Sequence, residues 1–121
     1  MIMNILITGA EGQLGLSFQK ISSNYAKHNF LFTDLPETDI TNKKALNTLV
    51  KKHTIDVIIN CAAYTAVDKA ETEKELAYHI NAYGPRILAE VAKENNLKLV
   101  HISTDYVFDG NSTSPIKESY P

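Results

Sequence analysis

Three glycines, Gly9, Gly12 and Gly15, stand at G-x-x-G-x-x-G spacing in "TGAEGQLG", directly after the apolar run "NILIT". Glycines so placed let a backbone turn tightly and approach a pyrophosphate, which then sits at the positive end of the following helix. Glu11, Gln13 and Leu14 alternate with them and belong to the same expected cradle. Asp34 closes the next apolar run, "NFLFT". An acid about 20 residues after such a turn accepts hydrogen bonds from ribose hydroxyls and repels a 2′-phosphate. No Arg or Lys lies between Asp34 and Lys43, so NAD(H) is expected ahead of NADP(H). Asp39 and Ile40 in "ETDIT" either edge an adenine, or Asp39 belongs to the start of a helix capped by Thr41. A last group follows "KLVHIS", where Ser103, Thr104, Asp105 and Tyr106 stand side by side. By composition alone these read as a strand end with turn-capping side chains.

The elements that must position these residues alternate regularly. "NILIT", "NFLFT", "DVIIN" and "KLVHIS" are short apolar runs of the kind that form buried strands. Between them come three stretches with apolar residues at helical spacing. These are Leu14, Phe18, Ile21 and Tyr25; Ala45, Leu46, Leu49 and Val50; and Leu76, Ile80, Tyr83, Ile87, Leu88 and Val91. Strand and helix in alternation predict an α/β fold, a Rossmann-like doubly wound parallel sheet. The expected strand order is 3-2-1-4, with the sheet incomplete on its C-terminal side. Gly84 and Pro85 fall inside the long third helix and are expected to loosen it locally. After Gly110 the pattern gives way to turn formers.

Composition narrows the function. The chain has 121 residues, 44% hydrophobic and 21% charged, with a net charge of -2. That is the profile of one globular domain, with no basic excess to suggest nucleic acid or an anionic membrane as partner. The N-terminal apolar run is too short for a signal or spanning helix. Cys61 is the single cysteine, which excludes an internal disulfide and suits a reducing cytoplasm. His28, His53, His79 and His101 share no metal-ligand spacing with one another or with Cys61, so no metal site is expected.

Two further motifs, "CAAYTAVDKAE" (61–71) and "STDYVFDG" (103–110), bring out a resemblance. With the glycine turn they resemble the extended short-chain dehydrogenase/reductases, and within them the dTDP-4-dehydrorhamnose reductase family. The resemblance covers all 121 residues but only the N-terminal part of such enzymes. It implies reduction of the 4-keto group of a nucleotide-sugar, with NAD(H) or NADP(H) as cofactor, in the cytoplasm, compatible with a homo-oligomer. It implies that Ala62, Ala63, Tyr64 and Thr65 line the nicotinamide side of the site. Asn81 in "HINAYG" matches a helical asparagine that supports a water relay to the catalytic lysine. Thr104 would hydrogen-bond the reacting oxygen of the sugar, and Asp105 would help hold the nucleotide-sugar. A carbonyl that accepts hydride becomes an alkoxide, so a positioned hydroxyl there is stabilising. Tyr106 reads as core or pocket wall. Related dehydratases carry a glutamate at that position to eliminate water, and its absence favours simple reduction.

The proton donor of this superfamily is a tyrosine with a lysine four residues on. Tyr25, Tyr64, Tyr78, Tyr83 and Tyr106 have no such partner. The chain is therefore expected to be an N-terminal cofactor-binding part, inactive by itself, lacking the substrate-binding part and the Tyr-x-x-x-Lys pair. Two other readings stay open: a non-catalytic cofactor-binding regulator resembling the regulatory subunit of methionine adenosyltransferase, and a nucleotide-sugar epimerase or dehydratase.

Overall fold

The four apolar runs become the strands of one parallel sheet. They are β1 (Asn4–Thr8), β2 (Asn29–Thr33), β3 (Val57–Asn60) and β4 (Lys98–His101). The structure, a computed structural model, describes residues 1–104 and 108–119. Asp105 and Tyr106 of the STDY motif lie outside the described residues.

The strand order is β2-β1-β3-β4, which corrects the expected 3-2-1-4. The third strand lies beside β1 rather than outside β2. β1 holds the most deeply buried run, and both of its edges are available for pairing. Seating β3 there puts Ile58, fully buried, next to Leu6. The half-exposed β2 is left at the margin. A local apolar pattern carries no information on which edge a crossover returns to.

From β1 to β2 the chain steps one way, and from β2 through β3 to β4 it steps the other. Right-handed crossovers then set α1 (Gln13–Ser22) on one face and α2 (Lys43–Lys52) with α5 (Gly84–Glu94) on the opposite one. Leu6, Ile58, Leu46, Val50, Leu88 and Val91 form the core on the α2/α5 side. Ile5 and Ile7, alternate along β1, are also buried and face the α1 side. Across α2 and α5, Lys43 bridges Glu90 at 2.9 Å and Glu94 at 2.6 Å. Asn42, not Thr41, caps α2: its side chain accepts the Ala45 N–H. The Thr41 hydroxyl instead donates to Asp39 at 2.7 Å.

The long third helix is built in pieces. After a short unforeseen helix α3 (Val67–Ala70), α4 (Lys74–Tyr78) runs into a π-helical turn, His79–Tyr83, and then into α5. Pro85 has no N–H for the carbonyl one turn back, so the ladder widens just before it. Gly84 is buried, and a Cβ there would lie 2.5 Å from Cδ1 of Ile40. The expected loosening takes this form.

Candidate dinucleotide site

The connections from β1 and β3 leave for opposite faces of the sheet, and a crevice opens between them at the carboxyl ends. Ligands of doubly wound folds bind at such a point. The glycine turn forms one wall. Gly9 has φ +67°, and a Cβ on it would lie 2.5 Å from the Ala62 nitrogen. Gly15 is packed as tightly: a Cβ on it would lie 2.3 Å from the Gly9 carbonyl oxygen. These two glycines are demanded by the protein itself.

Gly12 is different. Its φ is -75°, open to any residue, and a Cβ would meet only the Gly9 oxygen, at 3.4 Å. It is exposed and forms the N-cap of α1 without a side-chain cap, and no acid occupies the first turn. The fold does not require glycine here, but a ligand approaching the helix N-terminus would. Glu11, Gln13 and Leu14 around it are exposed. The residues present thus fit a pyrophosphate-bearing dinucleotide.

Asp34 reaches the same turn. Its Oδ2 accepts the Glu11 N–H at 2.8 Å, and its Oδ1 accepts the Leu35 N–H at 2.8 Å. A carboxylate has about four acceptor positions, so capacity remains for ribose hydroxyls. Asp39 accepts from both the N–H and the hydroxyl of Thr41, an exposed local turn. Ile40 is 6% exposed and belongs to the core. With its side chain packed in the core, only its backbone remains for the contact expected with an adenine.

The loop after β3 is held from two sides. Oδ1 of Asn60 accepts the Ala62 N–H at 3.1 Å. Asn81, set by the π turn, grips both backbone groups of Tyr64: its Oδ1 accepts the N–H at 2.8 Å, and its Nδ2 donates to the carbonyl at 3.0 Å. The Tyr64 hydroxyl donates to the Glu73 carboxylate, and this bond pushes the phenol above its ordinary ionisation range. Ala63 and Thr65 are exposed on the loop. Burial pushes the neighbouring Cys61 thiol up. Thr104 is exposed just beyond β4. Among the described residues, no three His, Cys, Asp or Glu side chains gather where a metal ion could be held, and no helix is long and apolar enough to cross a membrane.

Gly9, Gly12, Gly15, Asp34, the Ala62–Thr65 loop and Asn81 therefore meet at one end of the sheet. Asn60, His101 and Glu73 also serve this end and were not foreseen. Asn60 leaves a trace in the sequence: it ends "DVIIN" two residues after Ile58 and so shares that buried face.

Known proteins resemble this chain in sequence and in fold. The family described as the RmlD substrate binding domain matches residues 3–121. The chain belongs to that family. Within and around the RmlD family, a dTDP-4-dehydrorhamnose reductase of Aggregatibacter actinomycetemcomitans is 45% identical over 115 residues, which are 95% of this chain and 39% of that protein. The crystal structure of a dTDP-4-dehydrorhamnose reductase from Clostridium acetobutylicum is 48% identical with a TM-score of 0.91, covering 98% of this chain and 42% of that one. A Bacillus anthracis dTDP-4-dehydrorhamnose reductase in complex with NADP is 43% identical with a TM-score of 0.86, covering 93% and 40%. The chain thus spans about two fifths of the length of these RmlD relatives.

Proposed function

We propose that these residues are the dinucleotide-binding part of a dTDP-4-dehydrorhamnose reductase, an extended short-chain dehydrogenase/reductase. It would reduce the 4-keto group of dTDP-4-dehydro-6-deoxy-L-mannose to give dTDP-L-rhamnose. When bound, NADH or NADPH supplies the hydride. The observation that carries the reading is the open Cβ position of Gly12 above the uncapped start of α1. The relatives of similar sequence supply the substrate.

Each residue has a task in this reading. The N–H groups at the start of α1 hold the pyrophosphate, and Asp34 accepts from the adenosine ribose. Asn60 and Asn81 keep the Ala62–Thr65 loop where a nicotinamide would lie. Thr104 donates to the carbonyl oxygen as negative charge grows on it, and Asp105 helps hold the nucleotide-sugar. Tyr25, Tyr64, Tyr78, Tyr83 and Tyr106 have no lysine four residues on, so these 121 residues alone are expected to show no turnover. A cytoplasmic location goes with a nucleotide substrate and a single cysteine.

Titration of the chain with NADH and NADPH tests the reading. The unmodified chain should bind, and Gly12→Ala should weaken binding by tenfold or more while costing the fold about 1 kcal/mol or less, as at a helix N-cap. Unchanged affinity in Gly12→Ala would remove the ligand as the reason for that glycine. Equal affinity losses in step with unfolding would do the same.

A further inference from the structure

Three strands end in side chains that touch one another. Thr8 closes β1, Asn60 closes β3 and His101 closes β4, and the parallel register sets Thr8 beside Asn60 and Asn60 beside His101. Asn60 is 1% exposed. Its Oδ1 accepts the Thr8 hydroxyl at 2.6 Å and the Ala62 N–H at 3.1 Å. A backbone N–H can only donate, so the atom facing Ala62 is the oxygen, and the orientation of the amide is fixed. Nδ2 can only donate, and it stands 3.0 Å from Nδ1 of His101. That nitrogen must accept. The ring is therefore held with no proton on Nδ1, and its neutral form carries the proton on Nε2.

We propose that His101 is a positioning residue, which through Asn60 locks the strand end leading to Ser103 and Thr104 against the Ala62–Thr65 loop. This rests on the reductase reading for its purpose. The two segments so joined are the one that would hold the reacting oxygen and the one that would hold the nicotinamide. Their separation governs hydride transfer, and a misplacement of about 1 Å costs a reaction on the order of a hundredfold. The lock works because His101 is an acceptor toward Asn60. A side chain that only donates would face the Asn60 amide donor to donor, leaving the β4 end held to Asn60 by backbone pairing alone.

Two experiments bear on this separately. The first is ¹⁵N NMR of the histidine rings in the 121-residue chain, at about pH 8.5, well above the usual imidazole range. His101 should show a bare Nδ1 and a protonated Nε2. In Asn60→Asp the carboxylate would accept instead, and the proton should move to Nδ1. A protonated Nδ1 in the unmodified chain, or the same tautomer in both, overturns the lock. The second uses the full-length protein that carries these residues. His101→Gln keeps an acceptor, whereas His101→Arg offers donors only. The Arg variant should lose tenfold or more in kcat with KM for the dinucleotide within twofold, and the Gln variant should stay within threefold in both. Equal losses in the two variants, or a change confined to KM, overturn the positioning role. A full-length protein without reductase activity would overturn the functional reading, while the NMR result would still decide the lock.

Discussion

The Asp34 carboxylate takes the backbone N–H of Glu11 at 2.8 Å, across 23 residues of sequence. The acid expected to read a ribose is thus also a fastener of the glycine turn. Replacing it removes both a hydrogen-bond acceptor for ligand and a brace for the cradle. Asp34→Ala should weaken NADH binding by about tenfold, the lower end of what a hydrogen bond to a charged group is worth. NADPH should suffer less, because the repulsion of a 2′-phosphate disappears with the carboxylate. Fluorescence titration with both nucleotides checks this, and equal loss for the two would confine Asp34 to bracing the turn.

Thr104 stands exposed past the end of β4. On the reductase reading, Thr104→Val in a full-length protein should lower kcat by roughly a hundredfold to ten-thousandfold, the span of proton-transfer assistance. Dinucleotide affinity should hold. A parallel fall in affinity would make Thr104 a cofactor contact instead.

The link between α2 and α5 sets an acid limit on stability. Glu90 and Glu94 ionise below the ordinary value of 4.5, chiefly because each is hydrogen-bonded to Lys43. Lys43 in turn keeps its proton above its ordinary 10.5, with the bond to Glu94 the largest cause. Carboxylates with depressed values stabilise the fold above the unfolded value and lose that contribution as pH falls through the folded one. The gap in thermal midpoint between the unmodified chain and Lys43→Met should therefore be full at neutral pH and close as pH drops below about 4.5. On the alkaline side it should persist past 10.5 before closing. Calorimetry across pH reads both limbs, and a gap independent of pH would reduce Lys43 to packing.

Val100 on the edge strand β4 is 46% exposed, and Ile102 just beyond it is 45% exposed. Among the described residues β4 pairs with β3 alone, and a strand edge flanked by exposed apolar side chains is a template for pairing. The 121-residue chain should self-associate as its concentration rises, and Val100→Lys should shift it toward monomer without lowering its thermal midpoint. Sedimentation velocity on the two proteins decides. A monomer at all concentrations would show that the edge is protected.

Much of this could be read from local chemistry. "NILIT" and "NFLFT" form strands over the very residues expected, because short apolar runs between turn formers have few other uses. The glycine turn was legible for the same reason. Strand order was not, since the crossover from β2 to β3 reads alike whichever edge receives it. Thr41 and Asn42 are both capable caps, and only the competing bond from Thr41 to Asp39 settles which one caps α2. Asn81 matched a motif, but its grip on Tyr64 depends on the π turn, a backbone feature with no side-chain signature beyond Pro85. The Asn60–His101 pairing was out of reach without the register of β3 on β4.

The wall that Gly9 leans on follows the neighbouring strand β3, which is close in space but distant in sequence. Thr8 and Asn60, the last residues of the two strands that frame the crevice, are 52 positions apart. A nascent chain that has emerged only as far as Asp34 already holds every glycine of the turn, β2 and the whole of α1. It still has nothing for Gly9 to pack against, because Ala62 has not yet emerged. The cradle is therefore a late product of synthesis, assembled when the third strand docks. A nucleotide that binds only the assembled cradle can stabilise the domain only after that step.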